Sequence, residues 1–205
     1  MSWKLDGLTL VVTYDEGKLT KIVTRGNGHI GTNITHLAPA IKGVLPTISE
    51  KGHLVIRGEA VISYADFERF LIETEGDYAN PRNLASGSLT LKDVDEVKQR
   101  RIQWIPFTLV YTEKDINSWG ERMQFLDEMG FQTVERVDIQ QPTTDNIQAD
   151  IDAFTLKVTQ NVNPFPVDGL VITYDDTQFA STGSVTGHHA TRAGFAFKWQ
   201  DEHAD

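Results

Sequence analysis

Alternation decides most of what the first quarter of this chain can become. Residues 8–14 place Leu8, Leu10, Val12 and Tyr14 on every second position, Asp15-Glu16-Gly17 interrupts, and residues 18–24 alternate again. Two runs of period two around a short glycine-ended break specify a β-hairpin. Further strands are expected over 54–62, 104–111, 131–137, 167–174 and 194–199. Helices are expected over 64–73, which Ser63 caps with Asp66 three residues on, over 118–129 with Gly130 as its stop, and over 144–162. Strands outnumber helices and hairpins dominate. The fold class is therefore α+β, with antiparallel sheets flanked by helices.

Composition narrows the function classes. The 205 residues suit one domain and suffice for a core. No run is long and apolar enough to span a bilayer, and no basic-then-apolar leader opens the chain. Cysteine is absent, which excludes disulfides and thiolate metal sites and fits a cytoplasmic setting. The net charge is −10. A protein that grips nucleic acid unaided shows a basic surplus, because neutralised phosphates supply most of the affinity. Any action on nucleic acid here needs a local basic patch or help from other domains.

Several segments are candidates for chemistry. Lys4-Leu5-Asp6-Gly7 sets an amine at the start of a strand, three residues ahead of a glycine where backbone can approach a ligand. By itself it reads equally as a surface lysine beside a turn. A nucleophilic amine needs desolvation or neighbouring cations to disfavour its ammonium form. Arg25-Gly26-Asn27-Gly28-His29-Ile30-Gly31 is a glycine-rich loop, either a connector or a ligand-facing edge. Gly58, inside Arg57-Gly58-Glu59, marks a bulge or a ligand lying close to a strand. The stretch from Tyr78 to Leu89 is small, polar and irregular. Asn80-Pro81 there favours a turn and Arg82 offers a phosphate-fitting fork. His188-His189 reads as loop residues rather than a metal site, since neighbours on an extended chain point opposite ways.

Taken in order, six motifs resemble the nucleotidyltransferase domain of NAD-dependent DNA ligases. They are Lys4-Leu5-Asp6-Gly7; Thr24-Arg25-Gly26-Asn27-Gly28 with Gly31; Arg57-Gly58-Glu59; Ala79-Asn80-Pro81-Arg82-Asn83 with Gly87-Ser88-Leu89; Asp168-Gly169-Leu170-Val171-Ile172; and Phe197-Lys198. The resemblance implies the nucleotidyltransferase fold, an ATP-grasp-like ligase catalytic core. It implies that Lys4 attacks the α-phosphorus of NAD, expels nicotinamide mononucleotide and holds AMP covalently. AMP then passes to the 5′-phosphate of a nick in double-stranded DNA. Asp6 acts beside Lys4, placing the lysine or a magnesium ion. Glu59, Arg25, Leu5 and Gly7 contact the nucleotide, Val171 packs on adenine, Lys198 balances phosphate charge, and Arg82 serves the phosphate and nick-binding side. NAD and Mg2+ are the implied cofactors, with no metal site built from protein ligands alone. Lys198 and Arg82 are expected close enough to Lys4 to lower its proton affinity.

Departures from the family pattern accompany the match. Ser2 stands in place of an acid, Thr90 of an arginine, Thr173 of a lysine and Ala193 of a tryptophan. Losing one of two phosphate-directed cations costs on the order of 3–4 kcal/mol of transition-state stabilisation. The expected organisation is a single adenylation domain over 1–205, monomeric, without the nicotinamide-binding segment, OB-fold, zinc, helix-hairpin-helix or BRCT parts. Nick sealing by such a domain alone is not expected. Two other readings fit the departures: a catalytically impaired paralogue that binds a nucleotide or partner, and an ATP-using RNA ligase or capping-type enzyme.

Overall fold

The computed structural model describes residues 1–25 and 31–181 and the backbone of 195–197. Two antiparallel sheets organise these residues. The larger has the order β3-β2-β4-β5, with β2 Leu8–Asp15, β3 Lys18–Thr24, β4 Leu54–Val61 and β5 Gln103–Thr112. The smaller has the order β1-β6-β7, with β1 Ser2–Leu5, β6 Val167–Ile172 and β7 Phe195–Phe197. Mixed helix and antiparallel sheet is what the periodicity predicts.

The β2–β3 hairpin forms where alternation places it. Glu16 and Gly17 both take positive φ, 52° and 78°, the twist a two-residue hairpin loop requires. Leu10, Val12 and Tyr14 of β2 and Ile22 of β3 are fully buried, with Leu54, Ile56 and Ala60 of β4 beside them. Trp104 of β5 closes this layer, its indole N–H donating to the Leu10 carbonyl at 3.2 Å. A Cβ on Gly58 would stand 2.5 Å from that indole nitrogen. The glycine in β4 thus makes room for a tryptophan rather than for a ligand. The ladder also shifts register between Arg57 and Gly58, the bulge the sequence allows.

Among the described residues six α-helices flank the sheets: α1 Tyr64–Thr74, α2 Pro81–Ser88, α3 Val94–Lys98, α4 Trp119–Glu128, α5 Thr144–Thr159 and α6 Thr177–Ser181. Ser63 caps α1 as expected, its hydroxyl oxygen accepting the Asp66 N–H at 3.1 Å. Two expectations need correction. The stretch after Asn80 is a helix, not an irregular loop: Asn80 is the N-cap and Pro81 the first helical residue, a pairing that starts helices because proline has no N–H to leave unbonded. Residues 131–137 form no strand; beside β1 they make an isolated bridge between Ser2 and Arg136, the Trp3 N–H donating to the Glu135 carbonyl at 3.4 Å and the Val137 N–H to the Met1 carbonyl at 2.8 Å. Phe131 and Val134 are buried there as loop side chains, so apolar spacing marked burial and not sheet. Among the described residues no helix is long and apolar enough to cross a membrane.

Candidate active site

Lys4 does not open the strand that follows it. It sits inside β1, in the smaller sheet, where Lys4 faces Gly169 and Trp3 faces Leu170 of β6. Alternation along β1 sends Trp3, 6% exposed, into the core and Lys4 to the other face. The residue opposite Lys4 is a glycine, which adds no side chain to that face. Register shifts after Lys4, so Leu5 pairs with Val167 and Asp168 is the unpaired residue on β6. The extra residue frees Asp168 to turn toward Lys4, and its two oxygens accept from Nζ at 3.0 and 2.8 Å. Both side chains remain about one-third exposed, 33% and 31%, so a ligand can reach the pair.

Asp6 and Gly7 carry the chain from the small sheet to the large one. The Asp6 N–H donates to the Pro166 carbonyl at 2.9 Å, tying this corner to the entry of β6. A Cβ on Gly7 would come within 2.0 Å of the Ala60 carbonyl oxygen on β4. The close backbone approach expected at this glycine is therefore made by the protein itself. Arg82, second residue of α2, reaches the Asp6 carboxylate at 3.3 Å. The guanidinium thus stands against an acid, and the partner at Lys4 Nζ is likewise an acid, Asp168. Arg82 is thus paired with Asp6, and Lys4 with Asp168.

Glu59 lies across β2 from Thr9, whose hydroxyl donates to Oε1 at 2.8 Å. Burial pushes its carboxyl up to about 7; the Thr9 hydroxyl, the Gly7 N–H and the Lys4 charge oppose that shift, while Asp6 adds to it. Lys4, in the smaller sheet, and Asp6, between the sheets, are therefore both within electrostatic reach of Glu59 in the larger one. Val171 shares the Lys4 face, since it pairs with Ser2 two positions along each strand, and it is half-buried. Leu5 is on the reverse face. With Trp3, Phe165 and Val167 it lines a cavity of about 190 Å³. Arg25 follows β3, with its N–H on the Thr9 carbonyl at 2.9 Å and its side chain exposed.

Of the departures, Ser2 is buried, Thr173 follows β6 half-buried, and Thr90 turns its hydroxyl to the Gly87 carbonyl at 2.6 Å. Lys198, Ala193, His188-His189 and residues 26–30 of the glycine loop lie outside the described residues. Two functional neighbours escaped the reading of single residues. Asp168 stood in a quoted motif but its side chain's direction depends on the register shift. Arg57 shares the face of Glu59 by simple period two, a signal present in the sequence.

The family model for the NAD-dependent DNA ligase adenylation domain matches residues 1–202. The chain belongs to that family. Proteins named DNA ligase are similar along nearly its whole length: 37% identical in Lachnoclostridium phytofermentans and 38% in Ruminiclostridium cellulolyticum, each over 98% of this chain. One from Leptospira biflexa is 35% identical over 97% of this chain. The adenylation domain described here spans about a third of those relatives, 31%, 31% and 29% of their lengths.

Proposed function

We propose that this chain is the adenylating unit of an NAD-dependent DNA ligase with the nucleotidyltransferase fold, and that Lys4 carries the AMP. The observation behind this reading is the Lys4–Asp168 pair, one-third exposed where β1 meets β6, with Glu59 and the Asp6–Arg82 pair around it. Lys4 Nζ attacks the α-phosphorus of NAD, a phosphorus–nitrogen bond forms, and the bond to nicotinamide mononucleotide breaks. The amine must first leave Asp168 and lose a proton. Asp168, at 2.8 Å, is placed to take it. The phosphoryl group then needs positioning and positive charge more than covalent help. Arg82 supplies charge when an incoming phosphate draws it from Asp6, and Lys198 is assigned the same task. Asp6 keeps Arg82 near the amine until then.

Val171 offers an aliphatic surface to the adenine, and Glu59, with Arg25 at the far end of the Thr9 row, faces the sugar. Leu5 and Gly7 serve the nucleotide by fixing the backbone on either side of Asp6. Nicked double-stranded DNA is the acceptor, and the setting is a cytoplasmic monomer acting with the remainder of a ligase.

The described residues hold no group of three His, Cys, Asp or Glu side chains that converges on a cation. Asp6 and Asp168 are each engaged by a cation of the protein. A protein-built magnesium cage does not fit this site, and phosphate oxygens would have to supply most of the ligands.

Intact mass after incubation with magnesium and either NAD or ATP tests the reading. An AMP adduct from NAD that is absent in Lys4→Ala is expected. No adduct from either, with AMP still bound, points to a nucleotide-binding paralogue instead.

A further inference from the structure

On β4, Arg57 stands two residues from Glu59 and on the same face, roughly 7 Å along the strand and on the side away from the Gly7 corner. Its cross-strand neighbours are Val11 on β2 and Thr108 on β5. The row beside it runs from Thr9 to Glu59 and is extended by Arg25, bonded through its N–H to Thr9. Arg57 is therefore half-buried in a sheet face, and the charge of Arg25 is near enough to be felt there.

Neither guanidinium is paired with an acid among the described residues. Among the described residues, Arg57 Nε is closed off from solvent without a hydrogen-bond partner, and no carboxylate pairs with Arg57 or Arg25. The chain carries 29 acids to 19 bases, so two neighbouring arginines without a counter-charge are not explained by a shortage of acids. A buried donor without an acceptor is costly, and like charges brought together add to the cost. An anion held by the outer nitrogens of the two guanidinium groups offsets the repulsion between them. Two planar forks on one sheet face match tetrahedral phosphate oxygens, while the hydroxyls of Thr9 and Thr108 are already engaged by Glu59 and the Phe107 carbonyl.

We propose that Arg25 and Arg57 form a phosphate clamp, a second anion subsite beyond Glu59 that shares Arg25 with the nucleotide side and does not include Lys4. The inference does not depend on Lys4 reacting, so its test is a binding measurement. The 205-residue chain and its Arg57→Met, Arg57→Lys and Arg25→Gln variants are titrated with inorganic pyrophosphate and, separately, with a nicked DNA duplex at several salt concentrations. Arg57→Met is expected to weaken one probe by about tenfold to a hundredfold, the range for a lost charge-assisted contact. Arg57→Lys restores part of it, because the charge returns without the fork. Arg25→Gln, at an exposed position where folding is not at stake, weakens the same probe.

A loss confined to pyrophosphate identifies a dinucleotide-type phosphate. A loss confined to the duplex, with a salt slope shallower by about 1, identifies the DNA backbone. A structural role for Arg57 predicts the reverse pattern, and unliganded thermal stability reads it: the clamp requires Arg57→Met to melt at or above the wild-type temperature. Unchanged affinities for both probes in Arg57→Met and Arg25→Gln, or a lower melting temperature for Arg57→Met with affinities intact, would overturn the proposal.

Discussion

The two sheets differ in how their strands find one another. In the larger sheet β2 and β3 are joined by a two-residue turn, and β4 adds to β2 through a register of seven consecutive pairs without a shift. In the smaller sheet β1 must find β6 across more than 160 residues, and their pairing shifts register within four positions. Local pairing costs little chain entropy and is written in alternation; distant pairing is selected by packing. The candidate chemistry sits on the second kind. Lys4 and Asp168 meet because β1 and β6 meet, while the large sheet contributes Glu59 from its firm interior. A platform carrying one acid is set against a small sheet carrying Lys4, the proposed nucleophile.

The largest effect that sharpens this contrast separates chemistry from folding. Lys4→Ala should abolish the AMP adduct by intact mass while moving the thermal midpoint very little, because an exposed ion pair contributes only about 0–1 kcal/mol. A large fall in the midpoint would mean that the smaller sheet depends on the Lys4–Asp168 pair for its assembly.

Gly7→Ala attacks the joint between the sheets. Its Cβ would press on the Ala60 carbonyl at 2.0 Å, a backbone atom that cannot swing aside. The expected loss is about 3 kcal/mol, the upper end of overpacking, read by urea denaturation. A silent Gly7→Ala would show that the joint is loose and that the two sheets are not held in one geometry.

Glu59 then makes the platform sensitive to pH. Its carboxyl is raised by burial from 4.5 to about 7, so between those values the folded chain binds more protons than the unfolded one. Stability is therefore highest below about 4.5 on this account, falls as pH rises toward 7, and is level above. The full change is about 3 kcal/mol for one buried group, before solvent screening reduces it. Other carboxylates shift the opposite way, Glu135 and Asp15 among them, so the measurement is the difference between wild type and Glu59→Gln across this window. Parallel pH profiles would place Glu59 in solvent rather than in the sheet.

What could be read beforehand follows the same division. The hairpin, β4, β5 and the helices α1, α4 and α5 were legible because each buries one face at a fixed period, as Leu10, Val12 and Tyr14 do. The motif residues Lys4, Asp6, Glu59 and Arg82 were legible as candidates, and the fold brings them near one another. Their partners were not legible. Asp168 reaches Lys4 only through a one-residue register shift, which no local pattern encodes. The placement of Lys4 in a separate strand was missed because β1 is four residues long, too short for alternation to declare itself. Residues 131–137 misled for the opposite reason, since burial without pairing leaves the same apolar spacing.

The smallest expected effect concerns the helix that joins Arg82 to the site. Asn80-Pro81 suggests a turn on its own, yet here the same two residues start α2. The Asn80 side-chain oxygen accepts the Asn83 N–H at 2.9 Å, and Pro81 occupies the position where a missing N–H does no harm. Replacing the cap by alanine, Asn80→Ala, should cost about 1 kcal/mol, a fall in melting temperature of roughly 2–4 °C for a chain of this size. Because Arg82 is the second residue of α2, fraying of that first turn also loosens its contact with Asp6, while Lys4–Asp168, in the small sheet, is left in place. The expected signature is therefore a modest loss of stability together with weaker retention of phosphate ligands, and an adduct at Lys4 that still forms, more slowly. If Asn80→Ala lowered stability without changing ligand binding, Arg82 would be held by its pairing with Asp6 rather than by the helix.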